Sequence, residues 1–386
     1  MRTTGMSLAA VAASAAKQPR IAITDLEAVA VTEPAGGRSY VIVTLKTDAG
    51  ISGVGELLAE PNAAAAVERI SAAKQDLIGQ DALAIEAVHQ KLGFAGRGRG
   101  THDSGVRAAV NMALLDILGK VSKAPVYEVL GGPTRTKARA FAPLHGNTDS
   151  ALQQSLRRAH SAGYRAFSVP LNSPEGPTRG RAFYQDVHRL LDSLRQAGGD
   201  DTDFILDCGG AIPPSEAAGL AAELEPFHLL WLEEPSDGIQ GQPLAKISAE
   251  STTPVGFGRR FSDNSGFQDL LRMDAVDIVR PNIARLGISR IRKAASLAET
   301  YYVAVAPYHR GGSIGTAAAL HAAASIPNFF IQEVPFPESD ADASMRSEIA
   351  GPAIEAVKDG FLDLPAGHGL GVTLDVDAIA KYSVAV

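Results

Sequence analysis

Between Ala138 and Glu333 the chain repeats one kind of unit eight times, and that repetition restricts its fold more than any other feature. The short β-prone runs ARAFAPL, YRAFSVPL, FILDC, LLWLEEP, PVGFG, AVDIVRP, YVAVAP and FFIQE return about every 26 residues, with a helix-length stretch in each gap. This is the pattern of successive βα units, because parallel neighbours need a crossover long enough to carry a helix back across the sheet. Eight such strands suffice to close a barrel. An open, doubly wound sheet is the alternative. Polar residues stand at the C-terminal ends of many different runs, however, as a barrel site built from all its strand ends requires. The predicted class is α/β, a (β/α)7β barrel.

The region before the repeat has another character. IAITDLEAVAV and YVIVTLKTDAG read as antiparallel strands closed by a turn at Gly50. AAAAVERISAAKQDLIG and GVRAAVNMALLDILGKVSK carry apolar residues at helical spacing. The expected divisions are a leader over 1–20, an α+β capping domain over 21–135, the barrel over 136–350, and a segment over 351–386 that returns to the cap. A length of 386 residues accommodates a barrel of roughly 200–250 residues plus this second domain.

A formal charge of −7 argues against nucleic acid or an anionic membrane as partner, since both call for a basic surface. A small solute is the expected partner. Cys208 is the only cysteine, so neither an intramolecular disulfide nor a thiolate metal cage can form. No run reaches the roughly 18 apolar residues of a membrane span. Arg2 followed by MSLAAVAASAA, with Ala13, Ser14 and Ala15 at a small-residue cleavage position, has the outline of a short signal peptide. The expected location is cytoplasmic, with export the alternative if that segment is a signal.

Several strings, in order along nearly the whole chain, resemble the mandelate racemase and muconate lactonizing enzyme group of the enolase superfamily. They are TDAGISGVGE, ALLDILGKVSKAPVYEVLGG, LEEP at Leu232–Pro235, AAALHAAASIPNFFIQE and the GLG near the C-terminus. The resemblance implies a TIM-type barrel with an α+β cap completed by the C-terminal tail, and a homo-oligomer. It also implies acid-sugar dehydratase or racemase chemistry, in which a base removes the proton α to a carboxylate and Mg²⁺ stabilises the enediolate. No organic cofactor is expected.

The same resemblance assigns site residues and shows where this chain departs. Asp207 and Glu233 match two of three acidic metal ligands, and Arg259 stands where the third belongs. Tyr308 replaces a seventh-strand His base, and Asn282 replaces the Asp that orients it. His309 follows immediately, but neighbouring strand residues point to opposite faces. Ser168, with Pro170, replaces a basic pair on the second strand and is read as substrate-binding. Glu333 matches a residue that donates to the substrate carboxylate. Apart from the resemblance, His145 after the first strand could face the cavity or pack at its rim; it is read as substrate-binding together with Arg38, and cap loops around Arg38 and Pro61 are expected to close the cavity.

Two glycine-rich loops add to this set. HRGGSIG, His309–Gly315, could cradle a phosphate or carboxylate at a helix start, or its glycines could simply serve the βα turn. GRGRGTHDSG, with Arg97, Arg99 and His102, is a basic loop that could approach the mouth or remain a surface connection.

Charge makes the change at Arg259 intelligible. Three carboxylates around a divalent ion sum to minus one, as do two carboxylates around one guanidinium. A retained Mg²⁺ about 5 Å from that guanidinium would feel roughly 6–7 kcal/mol of repulsion at an effective dielectric of 20. Two function classes follow: a lyase or isomerase on an acid sugar or hydroxy-carboxylate, or a catalytically inactive relative that binds or senses a small carboxylate.

Overall fold

The computed structural model describes residues 21–93, 103–171, 180–237 and 242–385. The leader 1–20, including the signal-like stretch, and Arg97, Arg99 and His102 lie outside the described residues. Three strands, β1 (Ile23–Thr32), β2 (Ser39–Thr47) and β3 (Ser52–Leu58), form an antiparallel meander whose turn before β3 needs the positive φ of Gly50. Helices α1 (Ala63–Ala72), α2 (Lys74–Leu77), α3 (Ile85–Lys91), α4 (Ser104–Ser122) and α5 (Val126–Val129) complete the cap. Asp103 caps α4 by accepting from Val106 N–H. This helix lies directly on β3, because Gly53 and Gly55 carry no side chain. A Cβ there would stand 2.0 Å from the Ala113 carbonyl oxygen and 2.1 Å from that of Ala109.

Eight parallel strands follow: β4 (Lys137–Pro143), β5 (Ala166–Pro170), β6 (Asp203–Asp207), β7 (Trp231–Glu233), β8 (Val255–Phe257), β9 (Ile278–Val279), β10 (Ala304–Val305) and β11 (Gln332–Glu333). Each gap holds a helix: α6 (Asp149–Ser161), α7 (Gly180–Gly198), α8 (Pro214–Glu223), α9 (Gln242–Glu250), α10 (Ser265–Arg272), α11 (Ile283–Glu299) and α12 (Ser313–Ala324). Neighbours pair in sequence from β4 to β10, β11 pairs with β4, and a parallel bridge between Val305 and Phe329 closes the ring. The (β/α)7β barrel and its cap are therefore as expected.

Side-chain alternation sets the barrel's interior. Phe141, Ala166, Ile205, Trp231, Ile278, Ala306 and Ile331 meet there, one from each strand or its immediate flank except β8. At β8 the inward position is Gly256, where a Cβ would lie 2.3 Å from the Trp231 ring. The single large indole thus takes the space of two side chains.

After β11, α13 (Asp340–Ala350) begins with a capping box between Ser339 and Asp342. Asp342 also accepts from Ala35 N–H and Gly36 N–H of the cap. The chain then pairs β12 (Phe361–Asp363) antiparallel to β4 before reaching the cap. There Gly369 bonds the backbone of Ala124 and Val126, Leu370 N–H donates to Asp116, α14 (Val376–Tyr382) packs against β1, and just after it Val384 N–H donates to the Ala30 carbonyl. No helix among the described residues is long and apolar enough to cross a membrane.

Candidate active site

Two residues beyond the interior layer comes the next inward position of each strand, toward the C-terminal rim. Counting by two from the interior residues gives Pro143, Ser168, Asp207, Glu233, Gly258, Arg280, Tyr308 and Glu333. At β8 the positive φ of Gly258 turns the backbone, and Arg259 sends its guanidinium into the gap. A row of alternating charge results. Arg259 Nη1 stands 2.7 Å from Asp207 Oδ2 and 4.0 Å from Glu233 Oε1. Arg280 Nε donates to Glu233 Oε2 at 2.8 Å, and Arg280 Nη2 closes the row on Glu333 Oε2.

Burial and charge oppose each other along this row. Burial pushes the Glu233 carboxyl up to about 7, against the pull of Arg280 and Arg259. It raises Glu333 as well, again against its guanidinium neighbours. For Arg259, burial disfavours the cation, but Asp207 and Glu233 outweigh it and hold the group above the usual arginine range. Glu233 Oε2 also accepts from Trp231 Nε1 at 2.5 Å, whereas its Oε1 has no hydrogen-bond partner among the described residues.

Arg280 was not among the expected site residues, and it is the innermost cation. It is 2% exposed, donates to the carbonyls of Ala306 and Pro307, and lies within 5.6 Å of the ring centres of Phe141, Trp231 and Tyr308. Alternation from Ile278 in AVDIVRP was the signal that pointed to it. Tyr308 stands among three guanidinium groups, Arg259, Arg280 and Arg310, 5.5–5.7 Å from its ring centre. Burial nonetheless raises its phenol above the ordinary value and keeps it protonated at neutral pH. Asn282 caps α11 through Ala284 N–H and donates to the Arg259 carbonyl, so it fixes the loop that carries the guanidinium.

Above this row lies a cavity of about 240 Å³. Arg259, Tyr308 and Asn282 line it together with Arg260, Arg285 and Arg310, which sequence reasoning missed. Leu58 and Glu60 from the end of β3 cover it, so the cap loop before Pro61 is in place. Arg38 does not line this cavity; its Nη1 is 3.3 Å from Glu33 Oε1 in the cap. His145 is also turned aside: its Nε2 is 3.1 Å from the Phe336 carbonyl oxygen, and the residue borders a separate depression with Arg158 and Glu338. Ser168 is buried on the inward face of β5, below its strand's end.

His309 leaves the mouth, as alternation predicts. It is fully buried, its Nε2 is 2.9 Å from the Gly312 carbonyl oxygen, and its Nδ1 accepts from Gly311 N–H. Burial pushes its imidazole down to about 4. The HRGGSIG loop does cradle a carboxyl group, that of the protein's own Glu56, which accepts from Gly312 N–H and Gly315 N–H.

A barrel with an α+β cap and an acidic and basic strand-end ring defines a class of protein, and sequence comparison places the chain within it. Residues 20–131 match the mandelate racemase / muconate lactonizing enzyme N-terminal domain, and residues 151–378 match the enolase C-terminal domain-like family. The chain belongs to the mandelate racemase-like branch of the enolase superfamily. It is 30% identical to the D-xylonate dehydratase of Haloferax volcanii, over 94% of this chain and 89% of that one. It is 31% identical to the D-galactonate dehydratase of Ralstonia pickettii, over 89% and 91%. A mandelate racemase/muconate lactonizing enzyme crystal structure from Sulfitobacter superposes with a TM-score of 0.83 at 26% identity, covering 95% and 96% of the two chains. The named dehydratases are hydro-lyases, the class of enzyme expected from the sequence.

Family membership usually implies Mg²⁺, but these side chains do not fit it. A hard divalent ion needs several oxygen ligands. Here two carboxylates face a guanidinium nitrogen already within hydrogen-bond distance of one of them. Among the described residues no group of three or more His, Cys, Asp or Glu side chains is arranged to hold a metal. Glu234 offers no substitute oxygen: its carboxylate is buried, accepting from the backbone N–H groups of Gly258 and Arg259 and from Arg260 Nε.

Proposed function

We propose that the protein acts on a small hydroxy-carboxylate, an acid sugar or close relative, in a site whose central positive charge is Arg259 in place of a divalent ion. The position of that guanidinium between Asp207 and Glu233 carries the reading. It conserves the net charge of a three-carboxylate metal site and leaves donors for a bound carboxylate and its enediolate. The reaction class is hydro-lyase or isomerase chemistry α to the carboxylate, which the dehydratase relatives support. Tyr308, held protonated beside the cavity, can donate a hydrogen bond to a hydroxyl or carboxylate oxygen of the bound acid.

Capture of the carboxylate without turnover is the second reading, and one observation favours it. Tyr308 and His309 are both held in forms that take up no proton near neutrality. Incubation of EDTA-treated protein with a panel of aldonates in D₂O, followed by proton NMR, separates the two. Exchange of the C2 proton or appearance of a 2-keto-3-deoxy product supports catalysis. Saturation transfer to an unchanged ligand supports capture. Activity that appears only on adding Mg²⁺ refutes the role given to Arg259.

A further inference from the structure

Glu56, in β3 of the cap, lies outside the charge row, yet its carboxylate is wholly buried against the loop that supplies two residues of the mouth. Oε1 accepts from Gly312 N–H at 2.6 Å and Oε2 from Gly315 N–H at 3.1 Å. Those amides belong to the first turn of α12, where N–H groups lack partners within the helix and a negative charge is favoured. The glycines admit the carboxylate, since a Cβ at 311, 312 or 315 would come within 1.9, 2.8 or 2.9 Å of a Glu56 oxygen. Arg346 Nη1 holds the Gly311 carbonyl at 3.0 Å from the same side. On the barrel side, Tyr308 N–H donates to the Pro281 carbonyl and the Tyr308 carbonyl accepts from Ile283 N–H. Between these two sets of anchors, Tyr308 and Arg310 turn their side chains into the cavity.

We propose that Glu56 is a positioning residue: by seating the first turn of α12, this cap carboxylate sets where the Tyr308 ring and the Arg310 fork stand in the mouth. The inference rests on the reading of the mouth as a carboxylate site. Around Glu56 stand Tyr40 from β2, His309 from the loop, Arg346 from α13 and Glu355 from the segment after it, with Glu33 and Arg38 beyond Arg346. Burial raises the Glu56 carboxyl from 4.5 to about 7, against the two amides and Arg346. Opening the contact returns the group to water, so the closed form holds more protons between those values. The contact is therefore at full strength at low pH and weakens as pH rises through about 7.

The test is hydrogen exchange over residues 308–315 between pH 5 and pH 8, corrected for intrinsic rates, together with aldonate affinity and the rate at which phenylglyoxal modifies Arg310. In the wild type, protection falls on the order of ten- to a hundredfold across that range, and affinity falls with it. In Glu56→Gln the pH dependence disappears and, because the amide NH2 cannot accept from the second N–H group, affinity is about tenfold weaker than that of the wild type at pH 5 and Arg310 reacts faster; Glu56→Asp, one methylene short, does not restore the wild-type values. Wild-type behaviour in Glu56→Gln overturns the proposal, as does altered exchange with unchanged Arg310 reactivity. If the wild type binds no aldonate, the functional reading falls and Arg310 reactivity alone decides the positioning role. Should Glu56→Gln not fold, the wild-type exchange curve decides, and a flat one overturns the inference.

Discussion

Replacing Arg259 by glutamate converts the central contact from attraction to repulsion and should turn the mouth into a magnesium site. Asp207 and Glu233 lie 2.7 and 4.0 Å from the guanidinium nitrogen, so a carboxylate in its place faces two others at about 4 Å. Each such pair repels by about 4 kcal/mol at an effective dielectric of 20, so the ion-free variant is destabilised or takes up protons. A divalent ion relieves that repulsion and gains three hard oxygen ligands. With a Kd of about 10 μM, 1 mM Mg²⁺ stabilises the variant by about 2.7 kcal/mol. Calorimetric titration of chelator-stripped protein and urea unfolding with and without 1 mM Mg²⁺ provide the assay. The wild type should give no binding heat at micromolar ion and no shift in unfolding, whereas Arg259→Glu should show both. Micromolar Mg²⁺ binding by the wild type, or none by a folded Arg259→Glu, refutes the electrostatic replacement.

Arg280→Met strands Glu233 and Glu333 in a buried setting and should cost about 3–5 kcal/mol in urea unfolding at pH 8; a loss below about 1 kcal/mol would mean the row is not held by this charge. Tyr308→Phe should leave the unfolding midpoint in place while weakening aldonate binding about tenfold, a comparison that fails if the two move together. Gly256→Ala forces a methyl onto Trp231 and should destabilise by about 1–3 kcal/mol or more, measurable by the same unfolding assay. His309 and His321 are each pushed down to about 4 by burial, so both bind fewer protons folded than unfolded. Their stabilising contribution is present above about pH 6.5 and is lost as pH falls toward 4, and His321→Gln should flatten the acid limb of a stability–pH curve.

The barrel was legible because a strand–helix repeat leaves few alternatives, and Asp207, Glu233, Tyr308 and Glu333 were legible because they stand at positions that the family resemblance marks; the structure adds that all four share one alternation phase. Arg280 obeys the same phase but sits in AVDIVRP, where a terminal basic residue reads as solvent-facing until the count is carried round the ring. Arg259 was placed by its departure from the family pattern, and its contact with Asp207 follows from opposite charge at neighbouring strand ends. Arg38 and His145 were named from the sequence, but their partners were not: Arg38 pairs with Glu33 of its own loop, and His145 turns to Phe336 and Glu338, more than 190 residues away, which no local pattern encodes. The partner of HRGGSIG was hidden for the same reason: Glu56 is more than 250 residues away along the chain.

The path of residues 361–384 bears on how the protein is made. This stretch supplies the antiparallel neighbour of β4, the N–H group that meets Asp116 of α4, and a backbone bond to β1. Domains of many chains fold one after another as they emerge from the ribosome, at about 5–20 residues per second. Neither half of this molecule can be finished that way. The cap waits for residues made after the last barrel strand, and Asp116, buried in α4, lacks one of its donors until then. Nascent chains held short of residue 361 should therefore remain open to protease in both halves, and protection of the two should appear together once residues 361–384 have emerged.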